Sequence, residues 1–187
     1  MKKLIIGSIL GGLILFIWQF LSFALLDLHR PAMDYTPKQQ EVLKYLSSQF
    51  TESGSYYMPN LPKDATSEQQ QAAMKEAEGK PWAIVSYHTS MDSDMTMNMI
   101  RGLLIDIVLI GLLCYIISKL NPRTFGTIIV SCIFIGMIIF FAVPYTNHIW
   151  FKTFDLWAHF LDAFVPWLLI GIVLAAIYRK RYTAGER

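Results

Sequence analysis

Residues 4–26 read LIIGSILGGLILFIWQFLSFALL, twenty-three residues without a charged side chain. A run of that length matches the roughly 20 residues an α-helix needs to cross a hydrocarbon core of ~30 Å. Backbone groups in lipid have no water to bond, so such a run is stable there only as a helix that pairs its own N–H and C=O groups. Three further runs are long and predominantly apolar, at about Ile100–Leu120, Phe125–Tyr145 and Phe160–Tyr178. The expected fold is an all-α membrane bundle of four transmembrane helices, with a small α+β extracytoplasmic domain inserted between helices 1 and 2. Its divisions are residues 1–27 for the first helix, 28–98 for the inserted domain, and 99–187 for helices 2 to 4. The last part includes an interfacial loop at 145–158 and a basic cytoplasmic tail.

The first run has a rival reading as a cleaved signal peptide. Lys2 and Lys3 give a basic start, and Ser22-Phe23-Ala24 has the small residues of a cleavage site. A signal core spans about 7–15 apolar residues, and this run is longer, so a retained anchor is expected. No cysteine lies at the end of the run, which excludes a lipoprotein anchor. The two cysteines, Cys114 and Cys132, both fall in later apolar runs. The inserted domain therefore has no disulfide, and the small-packing-residue reading of the cysteines outweighs a redox one.

Composition agrees with a membrane protein. Hydrophobic residues make up 54% of the chain and charged residues 16%, against about 25% charged in a soluble domain. A formal net charge of +2, with no Lys/Arg-rich helix and no RNA-binding aromatic pattern, argues against a nucleic-acid partner. The basic residues are unevenly spread. Lys2, Lys3, Lys119, Arg123, Arg179, Lys180, Arg181 and Arg187 crowd into three short segments at one end of the bundle. Dense Lys/Arg marks the cytoplasmic side, which predicts cytoplasmic termini and an extracytoplasmic 28–98 domain. Tyr145, Trp150, Phe151, Phe154 and Trp157 then form an aromatic belt on the outer face, with the 145–158 loop lying in the interface as a short amphipathic helix.

Within the inserted domain, Thr36-Pro37 reads as a helix start, with a helix over 38–50 that places Val42, Leu43, Tyr45, Leu46 and Phe50 largely on one face. Tyr56–Met58 reads as a strand. Ser67 is expected to cap a helix running to Glu78, with Gln70 completing a capping box and Gly79 as the stop. Residues 82–88 alternate as a second strand. About 70 residues with no disulfide and few Leu, Ile or Val bury only a marginal core. That points to support from the spans or from other membrane protein subunits.

Polar residues inside spans are costly, and so are candidates for function. Gln19, Asp106, His159 and Asp162 are expected at similar depth in the outer leaflet. His159 and Asp162, three apart, share a helical face, and Arg101 is an available counter-charge for Asp106. Together they form a candidate polar cluster that binds a cation, a proton or a ligand. The competing reading is a helix-pairing network near the interface. A second candidate is the run with His88, Met91, Met95, Met97 and Met99, because thioether sulfur with a nearby imidazole suits Cu(I). Methionine is also an adaptable packing residue, and the run leads straight into a span. Gly7 and Gly11 form a Gly-x-x-x-Gly face for close helix packing.

No zinc-protease, nucleophile-elbow, phosphate-loop or haem-attachment motif is present, so no catalytic residue and no cofactor is assigned. At Lys80-Pro-Trp-Ala83, Met97-Asn-Met-Ile-Arg-Gly102 and Tyr145-Thr-Asn-His-Ile-Trp150 the chain resembles uncharacterised small four-span bacterial inner-membrane proteins. That resemblance implies topology and bacterial origin alone. The expected role is a non-enzymatic accessory or scaffolding subunit of a larger membrane complex. The alternative is transport or copper handling through the polar cluster and the Met-rich segment.

Overall fold

The computed structural model describes residues 1–91 and 94–179. Four of its helices are long and apolar enough to cross a membrane. Helix α1 (Lys2–Phe20) continues through a π-helical turn to Leu25. Helix α2 (Gln39–Gln49), strand β1 (Gly54–Met58), helix α3 (Ser67–Ala77) and strand β2 (Ala83–Tyr87) follow. Then come α4 (Met95–Lys119), α5 (Phe125–Phe140), the short α6 (Thr146–Trp150) and α7 (Leu156–Tyr178). The third span runs on from α5 through a π-helical turn holding Pro144 and into α6. The expected 145–158 loop is therefore helical up to Trp150 and again from Leu156, where α7 begins.

The chain divides into two compact units, Tyr35–Ser93 and the rest. In the helical unit, α1 packs against both α4 and α7, and α7 packs against α5. Each helix gives one stripe to the shared core. In α4 it is Ile110, Leu113, Cys114 and Ile117; in α5 it is Ile128, Cys132, Gly136 and Phe140. These recur at three- and four-residue steps, the spacing of a single helical face. At most 39% of the most apolar window of any span is buried inside the protein. The remainder is apolar surface turned outward, which water disfavours and lipid accepts.

Small residues set the close approaches. A methyl group on Gly12 would lie 2.8 Å from the Ile107 backbone, and one on Gly7 would lie 2.8 Å from Cys114 Sγ. The glycine face read in the first run thus packs α1 against α4 within the chain. Gly136 plays the same part between α5 and α7, where a methyl would strike the Ala163 carbonyl and the Trp167 ring.

In the Tyr35–Ser93 unit, β1 and β2 pair antiparallel with Tyr56 opposite Val85. Phe50 stacks on Tyr56 with ring centroids 3.9 Å apart. The capping box of α3 is shifted one residue from the expected Ser67 and Gln70. Thr66 accepts from the Gln69 amide while the Gln69 side chain accepts from the Thr66 amide. Both sequence frames offer a hydroxyl followed three residues on by glutamine, and the backbone selects the earlier one. The α2 helix begins at Gln39 rather than directly after Thr36, whose hydroxyl accepts from the Lys38 amide. Among the described residues of this unit only Tyr87 is a buried apolar residue, and Val42, Leu43 and Tyr45 on α2 are exposed. The unit is thinly packed, as its length and composition imply.

Candidate functional site: a carboxylate–imidazole cluster at one end of the bundle

The site begins where α1 stops being a regular helix. The π-helical turn Leu21–Leu25 widens the helix end, and the Leu26 and Leu28 amides bond back to the Leu21 and Ser22 carbonyls. Asp27 then adopts φ 50°, the left-handed region that aspartate tolerates better than most residues. This reversal folds the chain onto the bundle and drives His29 into it. His29 is 1% exposed, and Phe23, six residues earlier, stacks on its ring at 3.9 Å with the planes 8° apart.

Helix α7 supplies the other half. Asp155, His159 and Asp162 occupy steps i, i+4 and i+7, one face of its first two turns. Asp155 is the residue that precedes the helix, a position where an aspartate side chain ordinarily caps backbone N–H groups. Here it makes no cap bond. Its Oδ2 lies 2.8 Å from His29 Nδ1 and 3.4 Å from His159 Nε2. Asp162 Oδ2 lies 2.8 Å from His29 Nε2. Asp162 Oδ1 accepts from Trp18 Nε1 at 2.8 Å and from Ser22 Oγ at 2.7 Å. Trp18 and Ser22 are one turn apart on α1 and so face α7 together.

Both ring nitrogens of one buried histidine therefore meet carboxylates. Burial alone would lower the basicity of His29, but the hydrogen bonds to Asp155 and Asp162 and their charges outweigh it. The net effect is a pKa above the ordinary histidine value.

The expected cluster of Gln19, Arg101, Asp106, His159 and Asp162 is divided in the structure. His159 and Asp162 join the His29 site. Gln19 Nε2 donates to Asp106 Oδ1 at 3.2 Å between α1 and α4, beside the first site because Trp18 and Gln19 are adjacent. Arg101 does not serve as the counter-charge of Asp106. Asp106 Oδ2 is buried without a hydrogen-bond partner, and Arg101 is exposed and in no ion pair among the described residues. Five residues along a helix is about 140° around it, so the two side chains point to different sides.

The methionine run is spread over both units. His88, whose Nε2 is 3.3 Å from Ser86 Oγ, and the exposed Met91 lie in the Tyr35–Ser93 unit. Met95, Met97 and Met99 open α4 with 69%, 44% and 47% exposure. Met95 and Met99 share a stripe, and Met97 falls away from it.

No family model, curated protein or solved structure matches this chain. What the site can do rests on its own chemistry.

His29, Asp155, Trp18 and Ser22 were missed by the sequence reading. The Asp-x-x-x-His-x-x-Asp spacing at 155–162 was the available signal for Asp155, hidden because 145–158 read as a loop. Two carboxylates face one buried imidazole, and Asp162 and His159 keep partial exposure, so the set can accept a cation from solvent. One ligand-type atom each from His29, His159 and Asp162 lies within 4.8 Å of the others.

Proposed function

We propose that this chain is a non-enzymatic integral membrane protein whose working site is the Asp155–His29–Asp162–His159 cluster, where it takes up a cation. The observation that carries this reading is the single buried imidazole bonded at 2.8 Å to a carboxylate on each side. Ionisable groups are expensive near a bilayer and are ordinarily kept there for transport, sensing or binding. A merely structural tie between α1 and α7 needs one hydrogen-bonded pair. This cluster uses two carboxylates and two imidazoles. The basic residues Lys2, Lys3, Lys119 and Arg123 at the opposite end of the spans support placing the cluster and the Tyr35–Ser93 unit on the outer face of a bacterial inner membrane.

The test is growth of a deletion strain across a panel of cations, each from limitation to excess. The reading expects the deletion to shift the tolerated range of at least one cation, and Asp162→Asn to reproduce that shift while still inserting at normal levels. Full complementation by Asp162→Asn across the panel would refute it.

A second reading, an accessory or scaffolding subunit of a larger membrane assembly, is favoured by the apolar side chains that the Tyr35–Ser93 unit leaves exposed, Leu43, Tyr45 and Trp82 among them. Stoichiometric membrane subunits co-purifying in mild detergent would support it, and a monodisperse lone chain would count against it.

A further inference from the structure

We propose that the cluster is a binding site for a divalent transition-metal ion, with His29, His159 and Asp162 as its ligands. This inference rests on the cation reading above and names the occupant. Three features of the cluster lead to it.

The first is how each ligand is held from behind. A metal-binding histidine ordinarily gives its second ring N–H to a carboxylate, which fixes the tautomer and the ring plane. Asp155 Oδ2 stands 2.8 Å from His29 Nδ1, which leaves Nε2 to face Asp162. Phe23 stacked on the ring holds its plane. The carboxylate is fixed in the same way. Asp162 Oδ1 takes two hydrogen bonds, from Trp18 and Ser22, and Oδ2 is left to turn toward His29. Asp155, Trp18 and Ser22 are thus positioning residues.

The second feature is charge. A metal binds imidazole in its neutral form and displaces the proton, so the carboxylates of Asp155 and Asp162 together balance a divalent ion and not a monovalent one.

The third is ligand type and room. Two imidazoles with one carboxylate suit zinc or a neighbouring first-row ion. Calcium and magnesium prefer all-oxygen shells, and Cu(I) prefers sulfur. Ligands at about 2.0–2.2 Å from one zinc sit roughly 3.3 Å from each other in a tetrahedral site. The 2.8 Å gap between His29 Nε2 and Asp162 Oδ2 needs to widen by about half an ångström. The His159 ring stands edge-on to the His29 ring with centroids 4.9 Å apart, near enough to turn onto an ion held between His29 and Asp162. The His159 side chain is 33% exposed, so the ion enters on that side and a water or an exchanging ligand completes the shell.

The experiment uses the full chain in nanodiscs, stripped with a chelator and titrated with Zn²⁺ against a competing chelating dye. A parallel titration follows the visible absorption of Co²⁺. The wild type is expected to bind one equivalent of either ion, with a cobalt spectrum of four- or five-coordinate nitrogen and oxygen ligation. His159→Ala removes a partly exposed side chain that is not needed to hold His29, and should weaken binding more than about 100-fold. Asp155→Asn keeps all three ligands and should weaken it about 10- to 100-fold. Replacing Met91, Met95, Met97 and Met99 with Leu should leave the affinity unchanged.

Absence of a stoichiometric site for Zn²⁺ and Co²⁺ in the wild type would overturn the proposal, as would equal affinity in wild type and His159→Ala. If neither ion binds but Asp162→Asn still shifts cation-dependent growth, the metal assignment falls and the cation reading stands. If Asp162→Asn also complements fully, both fall.

Discussion

Two aspartates on neighbouring helices show what a side chain's surroundings do to the same carboxyl group. Asp162 has three hydrogen-bond partners, one of them the buried imidazole of His29. Asp106 has one, the Gln19 amide, and its second oxygen is buried with none. An orphaned buried acceptor costs about 1–3 kcal/mol. Asp106→Leu keeps the branched shape of the side chain, removes that oxygen and leaves the exposed Gln19 amide free to find another partner. Asp106→Leu should therefore raise the melting temperature in detergent and leave cation-dependent growth intact. A lower melting temperature would show that the Gln19 bond outweighs the orphan, and lost growth would bring Asp106 into the working site. His159 and Asp162 were legible in the sequence as two polar residues on one helical face. His29 was not, because nothing local marks a histidine three residues beyond a span as buried; the left-handed Asp27 and the π-helical turn put it there. The Arg101–Asp106 pairing failed on angle, since proximity along a helix is not proximity around it.

At the scale of elements, the spans were readable because twenty apolar residues in lipid have one way to satisfy their backbone. Their ends were less so. Span three keeps helical geometry past Pro144 by way of a π-helical turn and runs on to Trp150, beyond the Tyr145 where the sequence reading ended it. Helix contacts also depend on glycines whose partners the sequence does not name. Gly136→Ala should cost about 1–3 kcal/mol, because its methyl meets the Ala163 backbone carbonyl, which cannot turn aside. Gly126→Ala, in the same helix with open space around it, should be neutral or stabilising by up to about 1 kcal/mol through helix propensity. Thermal melts of the two variants side by side check the pair. Equal melting temperatures would mean that α5 and α7 are not packed at Gly136.

The whole molecule joins a helical bundle that is apolar on its outside to a unit with scarcely a core, and sequence composition foretold both. Composition also predicted on which side each loop lies. In a background with Cys114 and Cys132 replaced by Ala, Gln71→Cys should react with a membrane-impermeant thiol reagent in intact spheroplasts, and Asn121→Cys should not. The reverse pattern would put the His29 cluster on the cytoplasmic side. The imidazole–carboxylate set found in the structure and the methionine run read from the sequence differ in the atoms they offer. X-ray absorption at the zinc edge of the loaded full-length protein distinguishes them directly. A first shell of nitrogen and oxygen at about 2.0–2.1 Å, with the outer-shell scattering of two imidazoles and no sulfur, is the predicted result. A sulfur shell near 2.3 Å, or a spectrum of hydrated zinc alone, would contradict it.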